Sequence, residues 1–420
     1  VNDFWLPEMY LRIRLPLPIN SSPAYVFPQQ QFASDEDMIK YTALLIRAIC
    51  DFQDKIDKRQ IERELSTGVE KQPMCMEQYE RILGCYRHPR RGEDEQTTRK
   101  GKDTPLNEHI AVLANRQVFV VQTRVTGELL PVSVVISQLG DALRISRNRL
   151  ANTVIPVGAA SLGDRDGAAD VWEELLHVEE NAKSLEWMRS ALFVVCLDSP
   201  SSTHHSLPVS GNAKEVNLVT RAHHILTGYG SQRHGLNRWY DASIQVISLF
   251  ELIVSSDGTS GICIEHSAAE GIVIIHMVES ALRAVRDNWN KSLCLLIQYN
   301  STDRGLRAKP LTWVLSERAK DLLQSQISTF DELASELDLQ VLVFDEFGKD
   351  SIKKWRVSPD GFVQLALQLA HFRLHGYLVS TYESASLRRF AEGRVDNIRA
   401  NSQEALEWVT ASSTPHIPRV

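Results

Sequence analysis

Apolar residues recur at helical spacing from Asp35 to Gln60, where Met38, Leu45, Ile49, Phe52 and Ile56 share one face, which predicts an amphipathic helix. HIAVLANRQVFVVQTRV predicts two strands around a turn at Asn115-Arg116, and ALFVVCLD a buried strand. Glu173 to Ala191 is expected to be helical. Trp239 to Val273 alternates as strands, with a turn at Asp257-Gly258, and Gly271 to Asn288 changes to helical spacing. Thr329 to Leu337 predicts a helix and QVLVFDEF a strand. Ser358-Pro359-Asp360 is a helix start, with Ser as N-cap and Pro at the first helical position; that helix is expected to end at Gly376. Alternating helices and strands imply an α/β fold.

Polar stretches separate these elements. Residues 1–33, rich in Pro and aromatics, are expected to be pinned in extended form. Residues 87–106 (RHPRRGEDEQTTRKGKDTPL) read as an exposed charged loop and 201–216 as a second loop. His204-His205 and His223-His224 are expected on solvated loops.

At 420 residues the chain is long enough for two domains. A net charge of −7 gives no reason to expect nucleic acid, so an anionic ligand would need a local basic patch. Six cysteines form no CxxC pair, which argues against a zinc ribbon or a disulfide framework and for a reducing, cytosolic setting. Cys196 and Cys294 lie in apolar runs and read as buried thiols; no metal site is expected. No apolar run reaches the roughly 18 residues needed to span a bilayer. The abrupt ends, Val1-Asn2-Asp3 and Ile417-Pro418-Arg419-Val420, suggest a fragment of a longer protein.

Three constellations carry candidate chemistry. EHSAAEG (265–271) puts a histidine and small residues after a strand, and Glu270 at i+4 is within reach of the His266 ring. A carboxylate on one ring nitrogen leaves the other for base chemistry, though a structural histidine fits the bare pattern too. FGKDSIKK (347–354) is a basic patch before the positive end of a helix, suited to an anionic ligand or to a plain solvated turn. STYESASLRRFAEGRVDNIR (380–399) is dense in hydroxyls and reads either as a polar pocket or as a capped surface helix; Tyr382 offers a ring face to a quaternary ammonium.

Together with WLPEMYLRIRLPLPINSSPA (5–24) and NRWYDASIQ (237–245), these ordered passages resemble the choline/carnitine O-acyltransferase family over nearly the whole chain. The resemblance implies two chloramphenicol-acetyltransferase-like α/β domains, residues 1–310 and an incomplete 311–420, with an active-site tunnel between them and a crossover loop near Asn300–Arg304. It implies His266 as the catalytic base and Glu270 as the acid that holds it. Lys349 and Lys353 would meet the phosphates of CoA, within a stretch that includes Gly348, Lys354, Ser358 and Asp360, with Ser386 as a further contact. Trp5, Tyr10, Tyr382 and Ser384 fall at acceptor positions, and Arg238 and Asp241 support the site.

Val395-Asp396-Asn397 stands where the family's carnitine enzymes have a hydroxyl residue, an acid and a threonine. Valine cannot donate to carnitine's carboxylate, and a buried unpaired charge is costly, so the triplet implies choline as acceptor. The expected reaction is direct acetyl transfer from acetyl-CoA to choline without an acyl-enzyme, with acetyl-CoA as co-substrate and no permanently bound cofactor. The expected setting is a cytoplasmic monomer of a cholinergic neuron. The family's oxyanion donor is a serine expected beyond Val420, so this chain alone is expected to be inactive. About six extra apolar residues between Asp241 and Asp257 depart from the family. The alternatives are a carnitine O-acyltransferase and an inactive CoA-binding fragment.

Overall fold

The structure, a computed structural model, describes residues 2–66, 70–83, 85–98, 108–149, 154–200, 211–241, 250–290 and 305–413. His204-His205, Cys294, the extra apolar residues after Asp241 and the loop Asn300–Arg304 lie outside the described residues. The chain forms two compact units, Val1–Glu64 with Met76–Val341 and Leu65–Cys75 with Leu342–Val420.

In the first unit the elements begin α1 (Asn2–Leu6), a π-helical turn (Pro7–Leu11), β1 (Ala24–Val26), α2 (Asp35–Asp57), α3 (Glu77–Arg81), β2 (Cys85–His88) and β3 (Glu95–Thr98). They continue with β4 (His109–Ala114), β5 (Gln117–Gln122), β6 (Arg124–Val125), β7 (Glu128–Leu129), α4 (Val132–Asn148), α5 (Arg165–Leu176), α6 (Glu179–Arg189) and β8 (Val194–Asp198). After α7 (Ala213–Thr227) come β9 (Phe250–Ser255), β10 (Ser260–Ile264), α8 (Gly271–Asn288), β11 (Lys309–Pro310) and α9 (Glu317–Glu336).

Seven strands form one mixed sheet in the order β1-β10-β9-β8-β4-β5-β11, with β4, β8 and β9 parallel. Strands β4, β8, β9 and β10 are buried along their whole length, as expected for a sheet covered on both faces. Alternate residues feed two cores. Val112, Val195, Leu252 and Ile262 pack with Leu45, Ile49, Leu139 and Met277 of α2, α4 and α8. Leu113, Cys196, Ile253 and Cys263 pack with Trp172, Leu185 and Ile225 of α5, α6 and α7.

Strand register places His266. β10 runs antiparallel to β9, with Ile264 opposite Phe250, so the chain leaves β10 at the edge where β9 begins. The Ile264 N–H donates to the Pro23 carbonyl at 2.9 Å and the His266 N–H to the Ser21 carbonyl at 3.1 Å, which pins the turn.

The second unit holds α10 (Lys349–Lys354), α11 (Pro359–His375), the antiparallel pair β12 (Glu383–Ser386) and β13 (Val395–Ile398), and α12 (Gln403–Ser413). Helix α11 starts and stops as expected: Ser358 Oγ accepts from the Gly361 N–H at 3.3 Å, and Gly376 ends the helix at φ +79°.

Several sequence expectations need correction. Residues 2–11 are helical rather than extended. Residues 87–98 are not an exposed loop: β2 and β3 pair, and Arg87 and Asp94 are each 2% exposed, because opposite charges in the run pair with each other and with other segments. His223 and His224 are buried on α7, whose start is set by an Asn212–Glu215 capping box. QVLVFDEF is not among the strands of the described residues. Residues 380–399 form a hairpin and not a helix.

Candidate active site

His266 sits in the turn between β10 and α8, half-buried. Its Nε2 lies 3.8 Å from Glu270 Oε2, within ion-pair reach but longer than a hydrogen bond. Glu270 is the N-cap of α8, and its N–H donates to Gln78 Oε1 at 2.9 Å, which fixes where the carboxylate starts. On the other side of the ring, the Tyr10 hydroxyl is 3.0 Å from Nδ1, and the Tyr10 ring stacks at a centroid distance of 6.0 Å. Burial, then the Glu270 charge, raises the Tyr25 phenol above its ordinary range.

The turn is anchored by buried charged residues, of which sequence reasoning named Asp241 as support and missed Arg87, Asp94 and Arg165. Glu265 is 4% exposed and accepts from Arg87 Nη1 at 3.0 Å. Arg87 and Arg165 both donate to Asp94 Oδ2, each at 2.7 Å, and Arg165 also pairs with Asp241. Burial alone would push the Asp94 carboxyl up, but Arg165 and Arg87 hold it below the usual carboxylate range. Burial pushes Asp241 up to about 6 against the pull of Arg165. Arg87 and Asp94 lie in a run whose charge density carries no periodicity, so nothing in the pattern singled them out.

The NRWYD passage is buried. Asn237 Nδ2 donates to Asp198 Oδ1 at 2.8 Å, and Arg238 donates to both Asp198 oxygens at 3.2 and 2.8 Å. The Trp239 N–H donates to Glu251, and the Tyr240 hydroxyl donates to the Leu226 carbonyl at 2.6 Å.

In the second unit, Gly348 is the N-cap of α10, and Lys349, Lys353 and Lys354 are exposed on it. Lys349 and Lys353 are one turn apart on one face, where like charges repel unless an anion joins them. Phe347 packs edge-on against Trp355 (5.2 Å) and Phe362 (5.9 Å), which seats α10 beside α11. Asp360, in the first turn of α11, pushes the Glu383 carboxyl of β12 up by hydrogen bonding to it.

Ser384 pairs with Asn397 and Ser386 with Val395, so these four share one face of the hairpin. Ala385 pairs with Asp396, so Asp396 faces the other way. Asn397 Oδ1 accepts from the Glu383 N–H at 3.0 Å, and Ser386 Oγ accepts from the Arg388 N–H at 3.3 Å. Tyr382 is exposed at the start of the hairpin. Thus the structure brings Tyr10, His266 and Glu270 together in the first unit. It brings Ser384, Ser386, Val395 and Asn397 together in the second; Trp5, in α1, makes none of these bonds.

Comparison with known proteins gives the lineage. The sequence profile of the choline/carnitine O-acyltransferase family matches residues 1–419. Choline O-acetyltransferase of Sus scrofa is 35% identical over 412 residues, covering 98% of this chain and 61% of the pig protein. The Homo sapiens choline O-acetyltransferase is also 35% identical, over 98% of this chain and 52% of its own length. Carnitine O-acetyltransferase of Columba livia is 31% identical, over 99% of this chain and 62% of its own length. The chain therefore spans between about half and three fifths of the length of the curated relatives it matches. With these motifs in order and a matching profile from end to end, the chain belongs to the choline/carnitine O-acyltransferase family.

Proposed function

We propose that the full-length protein transfers an acetyl group from acetyl-CoA to choline, with His266 as general base. The observation that carries this reading is the seat of His266: a half-buried imidazole at a strand end, with a carboxylate 3.8 Å from one nitrogen and a hydroxyl 3.0 Å from the other. His266 takes the choline hydroxyl proton while the oxygen attacks the thioester carbonyl. The carbon–sulfur bond then breaks, and the ring returns the proton to the CoA thiolate. Glu270 faces the imidazolium as it forms. A general base of this kind contributes roughly 10²–10⁴-fold.

Lys349 and Lys353 supply the cationic pair for the phosphates of CoA, with Gly348, Lys354, Ser358, Asp360 and Ser386 around it. Choline is favoured over carnitine because Val395 offers no donor to a carboxylate, and because identity is 35% to choline enzymes against 31% to a carnitine enzyme. No helix among the described residues is long and apolar enough to cross a membrane.

The test is an assay of the full-length protein with radiolabelled acetyl-CoA, choline and carnitine side by side. Labelled acetylcholine is expected, and transfer to carnitine alone would reassign the acceptor. His266→Ala is expected to abolish turnover and leave CoA binding intact; an active His266→Ala enzyme removes the histidine from the mechanism.

A further inference from the structure

We propose that Arg87 is the positioning residue of the acyl-transfer site, holding the Tyr10 backbone and the Glu265–His266 turn against each other with one guanidinium. The inference rests on reading His266 as the base.

The three nitrogens of Arg87 point three ways. Nη2 donates to the Tyr10 carbonyl at 2.6 Å, Nη1 to Glu265 Oε1 at 3.0 Å and Nε to Asp94 Oδ2 at 2.7 Å. Glu265 immediately precedes His266. Its second oxygen accepts from the Ser267 N–H at 3.2 Å and from the Ser267 hydroxyl, so one carboxylate brackets His266 on both sides in sequence. Tyr10 in turn reaches His266 through its hydroxyl. Both partners of the Tyr10–His266 contact therefore hang on Arg87.

Arg87 is itself anchored. Asp94 Oδ2 is shared with Arg165, which pairs with Asp241, and Asp94 Oδ1 accepts from Arg14 at 3.1 Å. The Asp94 N–H donates to the Leu11 carbonyl at 2.9 Å, tying the β2–β3 turn to the Tyr10 segment a second time. Three arginines (Arg14, Arg87, Arg165) face Asp94, Asp241 and Glu265, and Arg14 also pairs with Asp166 at 3.1 Å, so each of these acids meets a guanidinium. A planar fork can serve three acceptors in fixed directions, which a lysine ammonium on a flexible stem cannot. Buried ion pairs are weak devices for stability, since apolar residues of the same volume often do as well. This network joins residues 10, 87, 94, 165, 241 and 265, and it ends beside the base.

The test uses the full-length protein with Glu265→Gln, which removes the charge facing Arg87 and keeps its shape, and Arg87→Lys, which keeps the charge and loses the fork. Two readouts are taken on protein confirmed as folded by circular dichroism and thermal melting: steady-state kinetics, and the rate of His266 modification by diethyl pyrocarbonate, followed by mass spectrometry. We expect kcat to fall by about 10–100-fold, as for a misplaced catalytic group, with KM for CoA within about twofold. The His266 modification rate is expected to change by about threefold or more, since the ring's surroundings shift. Modification needs no turnover, so it tests Arg87 even if the wild-type protein acetylates neither choline nor carnitine, a result that would overturn only the functional reading. Unchanged His266 reactivity in the folded variants overturns the role of Arg87, as does activity lost only in proportion to folded protein. Should Arg87→Lys not fold, Glu265→Gln decides alone.

Discussion

The hydroxyl of Tyr10 lies 3.0 Å from Nδ1 of His266, and the two rings are stacked within 14° of parallel. Tyr10→Phe keeps the stack and removes the hydrogen bond. A net hydrogen bond contributes about 0.5–1.5 kcal/mol, so kcat/KM for choline is expected to drop by about 3–10-fold. Affinity for CoA, measured by calorimetry, should stay the same.

Lys349 and Lys353 are exposed, so any attraction they exert on CoA is screened by salt. Lys353→Ala is expected to raise KM for acetyl-CoA by about 3–10-fold at low ionic strength, with the gap to wild type narrowing above about 0.5 M salt. A gap that does not change with salt would mean that Lys353 acts through packing and not through charge.

The Arg238–Asp198 pair is sealed from solvent and shares its carboxylate with His224 Nε2 at 2.7 Å. Burial would push the Asp198 carboxyl up, but Arg238, His234 and His224 hold it well below the usual range. Asp198→Asn removes the charge and strands the guanidinium. Loss of about 3–5 kcal/mol in urea unfolding is expected, the usual cost of breaking a buried pair from one side.

Gly258 closes the β9–β10 hairpin at φ +87°, and a Cβ there would collide with the Gln30 carbonyl oxygen. Gly258→Ala should destabilise the fold by about 1–3 kcal/mol, through backbone strain and the displaced Gln30 segment. The strand leading to His266 starts from this turn, so the variant's thermal midpoint is expected to fall.

Burial, and then the positive neighbours Arg90 and Arg189, push the His88 imidazole down to about 4, against the partial pull of Asp94. A histidine depressed in the folded state binds protons sooner when unfolded. Its contribution is therefore full above the unfolded value near 6.5, is lost as pH falls from there towards 4, and changes no further below. Urea unfolding of wild type and His88→Gln at pH 7 and 4.5 should show the wild-type advantage shrinking by about 2–3 kcal/mol. Comparing the two proteins cancels the opposite contribution of Glu251, which burial raises to about 7.

Legibility in the sequence followed how local each determinant was. The α2 stripe, the Asn115-Arg116 and Asp257-Gly258 turns, the Gly271–Asn288 helix and the Ser358 cap all depend on neighbours within a few residues, and all form where the pattern put them. His266 and Glu270 meet because i and i+4 are local too. Arg87, Asp94 and Arg165 were invisible because their partners lie 7 to 178 residues away, and a charged run looks the same whether water or another charge neutralises it. The buried His223-His224 pair was misplaced for a related reason, since the polar residues before it hid a helix whose capping box is short range but whose buried face is not.

The hairpin of β12 and β13 carries one more consequence. Because Val395 and Asn397 face one way and Asp396 the other, the wall beside Ser384 is written in every second letter. A single residue inserted into or deleted from β13 would exchange a neutral lining for a carboxylate without altering any side chain. If this hairpin lines the acceptor site as proposed, drift in acceptor preference is open to indels in this strand as well as to substitutions, and an alignment that gaps freely through Val395–Ile398 would misread it.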